Sequence, residues 1–373
     1  MRKTAAVLTA LSISLVTAAV AEKPVKGAKN VVVYREAGRF AGWPANHGAW
    51  SWGNEIVVGF ELGYLKPNKG NHHAIDYSKP AEHVLARSLD GGETWKLEKP
   101  EGLKPPPGAK VAHVPTIGGK PVTDCPGGID FTSPGFALTA RMTSIHSGHS
   151  RFYYSLDRGK TWRGPYRLPN FGQPGIAART DYLVNGKHDL MMFLTAAKSN
   201  GKEGRVICVR TRDGGKSWKL VSYVCPEPKG NEFAIMPSSV RLGKQTILTA
   251  IRYRKFIDLY RSTDNGKTWN YLSRPAPATG GNPPSLVLLH DGRLALTYGY
   301  RLKPYGIRAR LSEDQGKTWG EEIVLRDDGG SWDLGYTRSV ERPDGKIVTA
   351  YYFNTGANSE RFIGATIWDP SAQ

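Results

Sequence analysis

An all-β fold, a six-bladed β-propeller, is what this sequence predicts, on three observations. The first is a turn phrase, S/T-x-D-x-G-x-T/S-W, that occurs five times, at residues 88–95, 155–162, 211–218, 262–269 and 312–319. Measured from Asp90, Asp157, Asp213, Asp264 and Asp314, the spacings are 67, 56, 51 and 50 residues. Self-similarity at about 50 residues suits one four-stranded sheet per unit, each burying its faces only against its neighbours. The second is another phrase, a strand followed by a tight turn, that precedes most of the chain's short apolar runs. The third is a scarcity of helical periodicity beside recurrent β-rich segments such as 56–60, 190–194, 246–250, 294–298 and 347–352.

The elements follow in order. Residues 1–21 read as a secretory leader: Arg2 and Lys3, a mostly apolar run from Ala5 to Val16, and an A-x-A site at Ala19-Val20-Ala21. The expected location is therefore secreted or periplasmic. No other stretch approaches the ~20 apolar residues of a membrane span. From Val31 the same grammar continues to Trp368 without a composition break, giving one domain over residues 30–370. Six inner strands are expected: 44–52, 130–139, 179–184, 237–242, 284–289 and 336–341. Their turns include His290-Asp291-Gly292-Arg293 and Pro343-Asp344-Gly345-Lys346, with Asp-Gly where hairpins prefer it. In the repeated box, Asp bonds its own downstream backbone, Gly supplies positive φ, Thr or Ser ties the exit strand and Trp packs inward. The sixth unit lacks a box, so 362–368 or the opening 31–33 strand is expected to close the ring. Two excursions, 62–81 and 101–123, interrupt the rhythm, and long loops on a rigid ring commonly carry specificity.

With 51 Lys and Arg against 33 Asp and Glu, the formal charge is +18, or +16 once the leader is removed. That balance points to an acidic partner or to Lys residues solvated in turns, such as Lys160, Lys216, Lys267 and Lys317. The basic residues form no single run and no recognition module is present, so nucleic acid is not an expected partner. Three cysteines leave at least one thiol unpaired; Cys208 and Cys225 flank the third box and are either paired across strands or isolated. Adjacent His72 and His73 point to opposite faces of a strand, so no metal spacing is present, and neither metal nor cofactor is expected.

The boxes, the inner-strand phrases and the count of six together resemble the sialidase (neuraminidase) superfamily over about residues 30–370. That resemblance implies a substrate held where the inner strands begin, a Tyr nucleophile helped by Glu, an Asp acid/base and three Arg on the sugar carboxylate. Tyr336, at the start of the sixth inner strand, resembles the nucleophile, since a neighbouring carboxylate taking its proton would make a phenol reactive. Asp76, 14 residues ahead of Asp90, resembles the acid/base, a loop carboxylate that desolvation would keep protonated. Glu232, 20 residues before Arg252, resembles the Tyr partner. Arg252 matches the second carboxylate-binding Arg, while Arg301 and Arg308 compete for the third. Where the family has Arg-Ile-Pro, this chain has Gly42-Trp43-Pro44, and Arg39 is the nearby substitute. Asn46, His47, Asp130, Arg179, Asp181, Asn282 and Arg338, all near inner-strand starts, are further candidates for the funnel, His47 also as a catalytic base. Trp43, Trp50 and Trp52 suit stacking on sugar faces or packing between blades.

Three functions follow, each with a monomeric chain and an acidic glycan or sialoglycoconjugate as partner. The first is a secreted exo-glycosidase of sialidase type acting on sialic acid or a related acidic sugar. The second is a hydrolase or lyase for another anionic polysaccharide, favoured by the missing Arg at Gly42. The third is a non-catalytic propeller that binds acidic sugars.

Overall fold

The computed structural model describes residues 25–67, 72–106, 110–111, 114–115 and 119–372, so the leader at 1–21 lies outside the described residues. Six antiparallel sheets follow one another around an axis. Blade one runs from its inner edge through Arg39–Gly42 and Ala49–Trp52, both paired to Glu55–Tyr64, and out through Glu82–Ser88 and Lys96–Glu98. A single helical turn, Pro44–His47, separates its two inner pieces. Blade three is likewise split, Ile176–Ala177 and Tyr182–Gly186 pairing with Asp189–Ala197, followed by Glu203–Thr211 and Lys219–Tyr223. Blades four and five are regular four-stranded sheets, beginning with Ile235–Arg241 and Pro284–Leu288. Blade six runs Gly335–Glu341, Ile347–Phe353, Phe362–Trp368 and then Lys29–Tyr34, so both expected closing strands are used, the opening one hydrogen-bonded to the last.

Blade two departs from expectation. It has three strands, Ala137–Met142, Ser150–Ser155 and Arg163–Leu168, and 130–136 forms a turn instead of an inner strand. The cause is local: Asp130 accepts hydrogen bonds from Thr132 N at 3.0 Å and Thr132 Oγ1 at 2.6 Å. A short carboxylate bonded two residues downstream turns the chain before a ladder can begin.

The boxes join the last two strands of blades one to five, as their chemistry requires. Asp264 accepts from Ser262 Oγ (2.8 Å), Lys267 N (3.0 Å), Thr268 N (2.9 Å) and Thr268 Oγ1 (2.6 Å). Trp269 Nε1 donates to the Gly266 carbonyl at 3.2 Å, and its ring packs against the buried blade-three and blade-four residues. Each inner strand descends from the rim where the second strand ends, so the boxes occupy the opposite rim from Arg252 and the inner-strand starts.

The core is six apolar clusters, one at each interface between blades. Met191, Phe193, Val206 and Cys208 of blade three meet Ile247, Ile251 and Tyr260 of blade four. Trp50, Val57 and Leu85 of blade one meet Ala137, Tyr153 and Trp162 of blade two. Fully burying one such Phe or Leu contributes about 1.5–3 kcal/mol, and all six seams hold the inner-strand starts in fixed relation. All three cysteines are buried and free, so Cys208 and Cys225 do not pair.

Candidate active site

Three residues at the inner edge are in the left-handed region: Trp43 (φ 60°), between the two inner pieces of blade one, and Met236 (φ 52°) and Tyr336 (φ 55°), second residues of the inner strands of blades four and six. Non-glycine residues adopt this conformation only when their surroundings enforce it. In blades four and six the ladder slips at the same point, between Ile235 and Ser238 and between Gly335 and Arg338. The Tyr336 amide donates to Asn282 Oδ1 at 2.9 Å, and Asn282 Nδ2 donates to the Leu334 carbonyl at 3.2 Å. The kink turns the three side chains into one cluster at the ring's mouth.

Above them opens a pocket of about 620 Å³, bordered by Trp43, His73, Arg179, Glu232, Arg252 and Tyr336 among others. Arg252 Nη1 donates to Tyr336 Oη at 3.2 Å, and its guanidinium lies 5.7 Å from that ring. The Arg301 guanidinium lies 5.3 Å from the same ring, and its Nη2 donates to Tyr352 Oη at 2.8 Å. Burial pushes the Tyr336 phenol up, but the charges of Arg252, Arg301 and Arg179 outweigh burial and bring it below its ordinary value. Across the pocket, Arg179 is held by Glu203 at 2.5 Å.

His73 completes the site from the long loop of blade one. Its ring meets Trp43 edge-on at 5.1 Å and Tyr336 at 6.2 Å. His73 Nδ1 lies 2.6 Å from Asp333 Oδ1, and Asp333 also accepts from Ala74 N and Arg361 Nε, each at 2.9 Å, and from Tyr352 Oη at 2.8 Å. Burial lowers the His73 pKa despite the opposing pull of Asp333. The Asp333 carboxyl, pushed up by burial, is brought well below the carboxylate range by His73 and Arg361. A histidine so oriented, facing the Tyr336 phenol, has the chemistry a proton carrier needs.

Tyr336, Arg252, Arg179 and Glu232 border the pocket, and Arg301 stands directly behind the phenol. Of the two candidates for the third Arg, Arg301 is the one beside the phenol. Arg308 is buried elsewhere, with its Nε 3.3 Å from Glu322 and its guanidinium 4.9 Å from the Tyr300 ring. Arg39 does not replace the missing Arg: it stacks 4.3 Å from the Tyr64 ring and pairs with Glu82 at 3.8 Å, away from the pocket. Asp76 turns from the site to cap its own loop, accepting from Ser78 N at 3.0 Å and Ser78 Oγ at 2.6 Å. Those bonds hold its carboxyl low, the wrong direction for a proton donor. Glu232 is placed at the mouth but pairs with Arg254 at 3.3 Å, so the phenol's close charged neighbours are guanidiniums. His47 is buried outside the pocket, facing Arg141 and Glu61. Asp130 is spent on its turn in blade two. Arg338 closes the hub, Nη2 donating to the carbonyls of Ala45 at 2.7 Å and Thr180 at 2.6 Å.

Sequence reasoning missed His73, Asp333, Glu203 and Lys198. Lys198 is buried, and its Nζ donates to the carbonyls of Pro228, Gly230 and Glu232 at 3.1, 2.7 and 2.8 Å, fixing the loop that carries Glu232. Among the described residues, no group of His, Cys, Asp and Glu is arranged to hold a metal ion, and no helix is long and apolar enough to cross a membrane.

Six blades, box turns on one rim and a cationic, aromatic-walled pocket on the other define a sialidase-like propeller. The family model described as a BNR repeat-like domain matches residues 134–349, and the chain belongs to that family. Among solved structures, a protein of unknown function from Dyadobacter fermentans DSM 18053 matches at 23% identity and TM-score 0.69, over 92% of this chain and 99% of that one. NanB sialidase from Streptococcus pneumoniae matches at 14% identity and TM-score 0.61, over 94% of this chain and 71% of that one. An α-L-arabinanase from Penicillium chrysogenum matches at 16% identity and TM-score 0.58, over 91% and 97% respectively. At these identities the likeness is one of fold. No curated protein matches the chain.

Proposed function

We propose that the protein is an exported glycosidase that binds an acidic sugar by its carboxylate and cleaves the bond to that sugar, with Tyr336 as nucleophile. The observation that carries this reading is the Tyr336 phenol on the pocket wall against the guanidiniums of Arg252 and Arg301. Arg252 and Arg179 border the pocket and offer forked cations to a planar carboxylate, while Arg301, its nitrogens engaged by Leu334, Gly281 and Tyr352, adds the charge that with theirs favours the phenolate. Tyr336 Oη, as the phenolate, attacks the anomeric carbon while His73, in the imidazolium form that the Asp333 carboxylate favours against burial, delivers its proton to the departing oxygen. Water then enters, His73 takes its proton, and the tyrosyl bond breaks with the anomeric configuration retained. Sialidases and arabinanases among proteins of this fold make glycoside cleavage a chemistry the scaffold supports.

A second reading is lyase chemistry on a uronic-acid polymer. It is favoured because the phenol's close charged partners are guanidiniums, with Glu232 engaged by Arg254. Paired cations on a uronate carboxylate would acidify the adjacent C–H for removal by Tyr336. Proton NMR of digests of sialylated mucin and uronate-rich polysaccharide separates the two, since hydrolysis releases a saturated sugar with retained configuration and elimination gives an ultraviolet-absorbing unsaturated end. Tyr336→Phe is expected to reduce kcat by about 10²–10⁴-fold with ligand binding retained. Full activity in that variant would sink both readings. Export is checked by N-terminal sequencing of the protein from culture or periplasm, with cleavage after Ala21 expected.

A further inference from the structure

Between blades one and two, away from the Tyr336 pocket, lies a buried cluster of charged side chains: His47, Glu61, His83, Arg141 and Arg151 are all almost fully enclosed. Glu61 Oε2 lies 3.5 Å from His47 Nε2 and 3.4 Å from His83 Nε2, neither in hydrogen-bond geometry. Arg141 is occupied by neutral acceptors, donating to Ala140 O at 2.8 Å and meeting His47 Nδ1 at 2.7 Å. Arg151 differs. Its Nε donates to Tyr153 Oη at 3.0 Å, but both terminal nitrogens are buried without a hydrogen bond. Among the described residues, neither arginine forms an ion pair.

The charges do not balance. Burial holds His47 and His83 neutral and pushes Glu61 up to about 8, so near neutral pH the cluster holds two guanidiniums and no full counter-charge. An uncompensated buried cation is unfavourable by several kcal/mol unless an anion or ordered water meets it. A cavity of about 220 Å³ reaches the cluster at His83 and has Lys99 and Lys104 at its mouth, where Glu82 is engaged by Lys99 at 3.0 Å. Tyr153 Oη, the acceptor for Arg151 Nε, donates to the carbonyl of Lys104, a residue of the cavity wall, at 3.3 Å.

We infer that this buried cluster, reached through the cavity at His83, binds one small oxyanion of the phosphate or sulfate type, gripped by Nη1 and Nη2 of Arg151 and by His83. A tetrahedral oxyanion presents two oxygens at the spacing a guanidinium fork matches. Glu61, protonated, donates its O–H to a third oxygen. The lysines at the mouth draw the anion in. The site shares no residue with the Tyr336 pocket, so it stands or falls independently of the glycosidase reading.

Equilibrium dialysis and thermal melting with inorganic phosphate, repeated with sulfate, test this. One equivalent per chain is expected, with a rise in Tm of about 3 °C or more at phosphate a hundredfold above its Kd. Arg252→Ala, which removes a cation from the Tyr336 pocket, is expected to leave this binding intact, and Arg151→Gln to weaken it at least tenfold. Should Arg151→Gln not fold, His83→Gln carries the same expectation. Absence of binding to the wild type would mean that water fills the cavity and would overturn the inference. So would binding lost in Arg252→Ala and kept in Arg151→Gln or His83→Gln.

Discussion

Tyr336 is exact in placement because two neighbours, Gly335 and Asn282, forbid alternatives. Gly335 has φ 103°, and a Cβ there would stand 2.3 Å from Asn282 Oδ1, the oxygen that receives the Tyr336 amide. Gly335→Ala is expected to shift the phenol and reduce kcat/KM on the order of 10²-fold, with far-ultraviolet circular dichroism unchanged. The pH dependence follows from the arginines. Because Arg252, Arg301 and Arg179 hold the phenol below its ordinary pKa against burial, Arg252→Gln removes a charge that favours phenolate and must move the phenol's limb of the kcat/KM profile to higher pH. A limb that stays in place would show that another group titrates there. Tyr336 and Arg252 were legible because each follows a recognisable strand position. His73 and Asp333 were not, since their contact joins residues 260 apart and no local spacing encodes it. Asp76 misled for a physical reason: a short carboxylate two residues before Ser78 satisfies itself locally.

At the level of the element, the box states its own structure in eight letters, which is why the five turns and the strands they join could be read directly. Asp264→Ala removes the acceptor of four hydrogen bonds and leaves the Thr268 amide to solvent; an expected loss of about 1–3 kcal/mol would be measured by urea unfolding. Hydrogen bonds from Thr94, Thr268 and Thr318, first among the causes, hold Asp90, Asp264 and Asp314 at about 2. A depressed carboxyl favours the fold above its ordinary pKa, and that contribution disappears as pH falls toward 2. Melting temperature should therefore decline between pH 4 and pH 2, less steeply in Asp264→Ala. The inner strand expected at 130–139 was not legible as a turn, because Phe131 and Phe136 are buried as strand residues would be while Asp130 bends the chain between the blades.

For the whole molecule, the number of blades followed from the repeat, and closure by 362–368 or 31–33 was expected; the ring uses both, Lys29–Tyr34 pairing with Phe362–Trp368. The ring that this seam closes also encloses ionisable groups whose behaviour no local pattern announces, and their titration gives a test of the interior. Glu61 is raised to about 8, chiefly by burial and against the pull of Arg141 and Arg151. A carboxyl raised on folding favours the folded state fully below its ordinary pKa, and that contribution is lost as pH rises through the folded value. His47 and His83, lowered chiefly by burial, act at the other end: their contribution weakens as pH falls below 6.5, where the unfolded chain takes up protons. Glu61→Gln keeps the shape of the protonated acid and cannot ionise. In phosphate-free buffer its melting temperature relative to the wild type should climb between pH 5 and pH 8 and then level off. A difference independent of pH over that range would mean that Glu61 is already charged in the folded protein, in which case Arg151 has its counter-ion and the cavity between blades one and two has no need of an external anion.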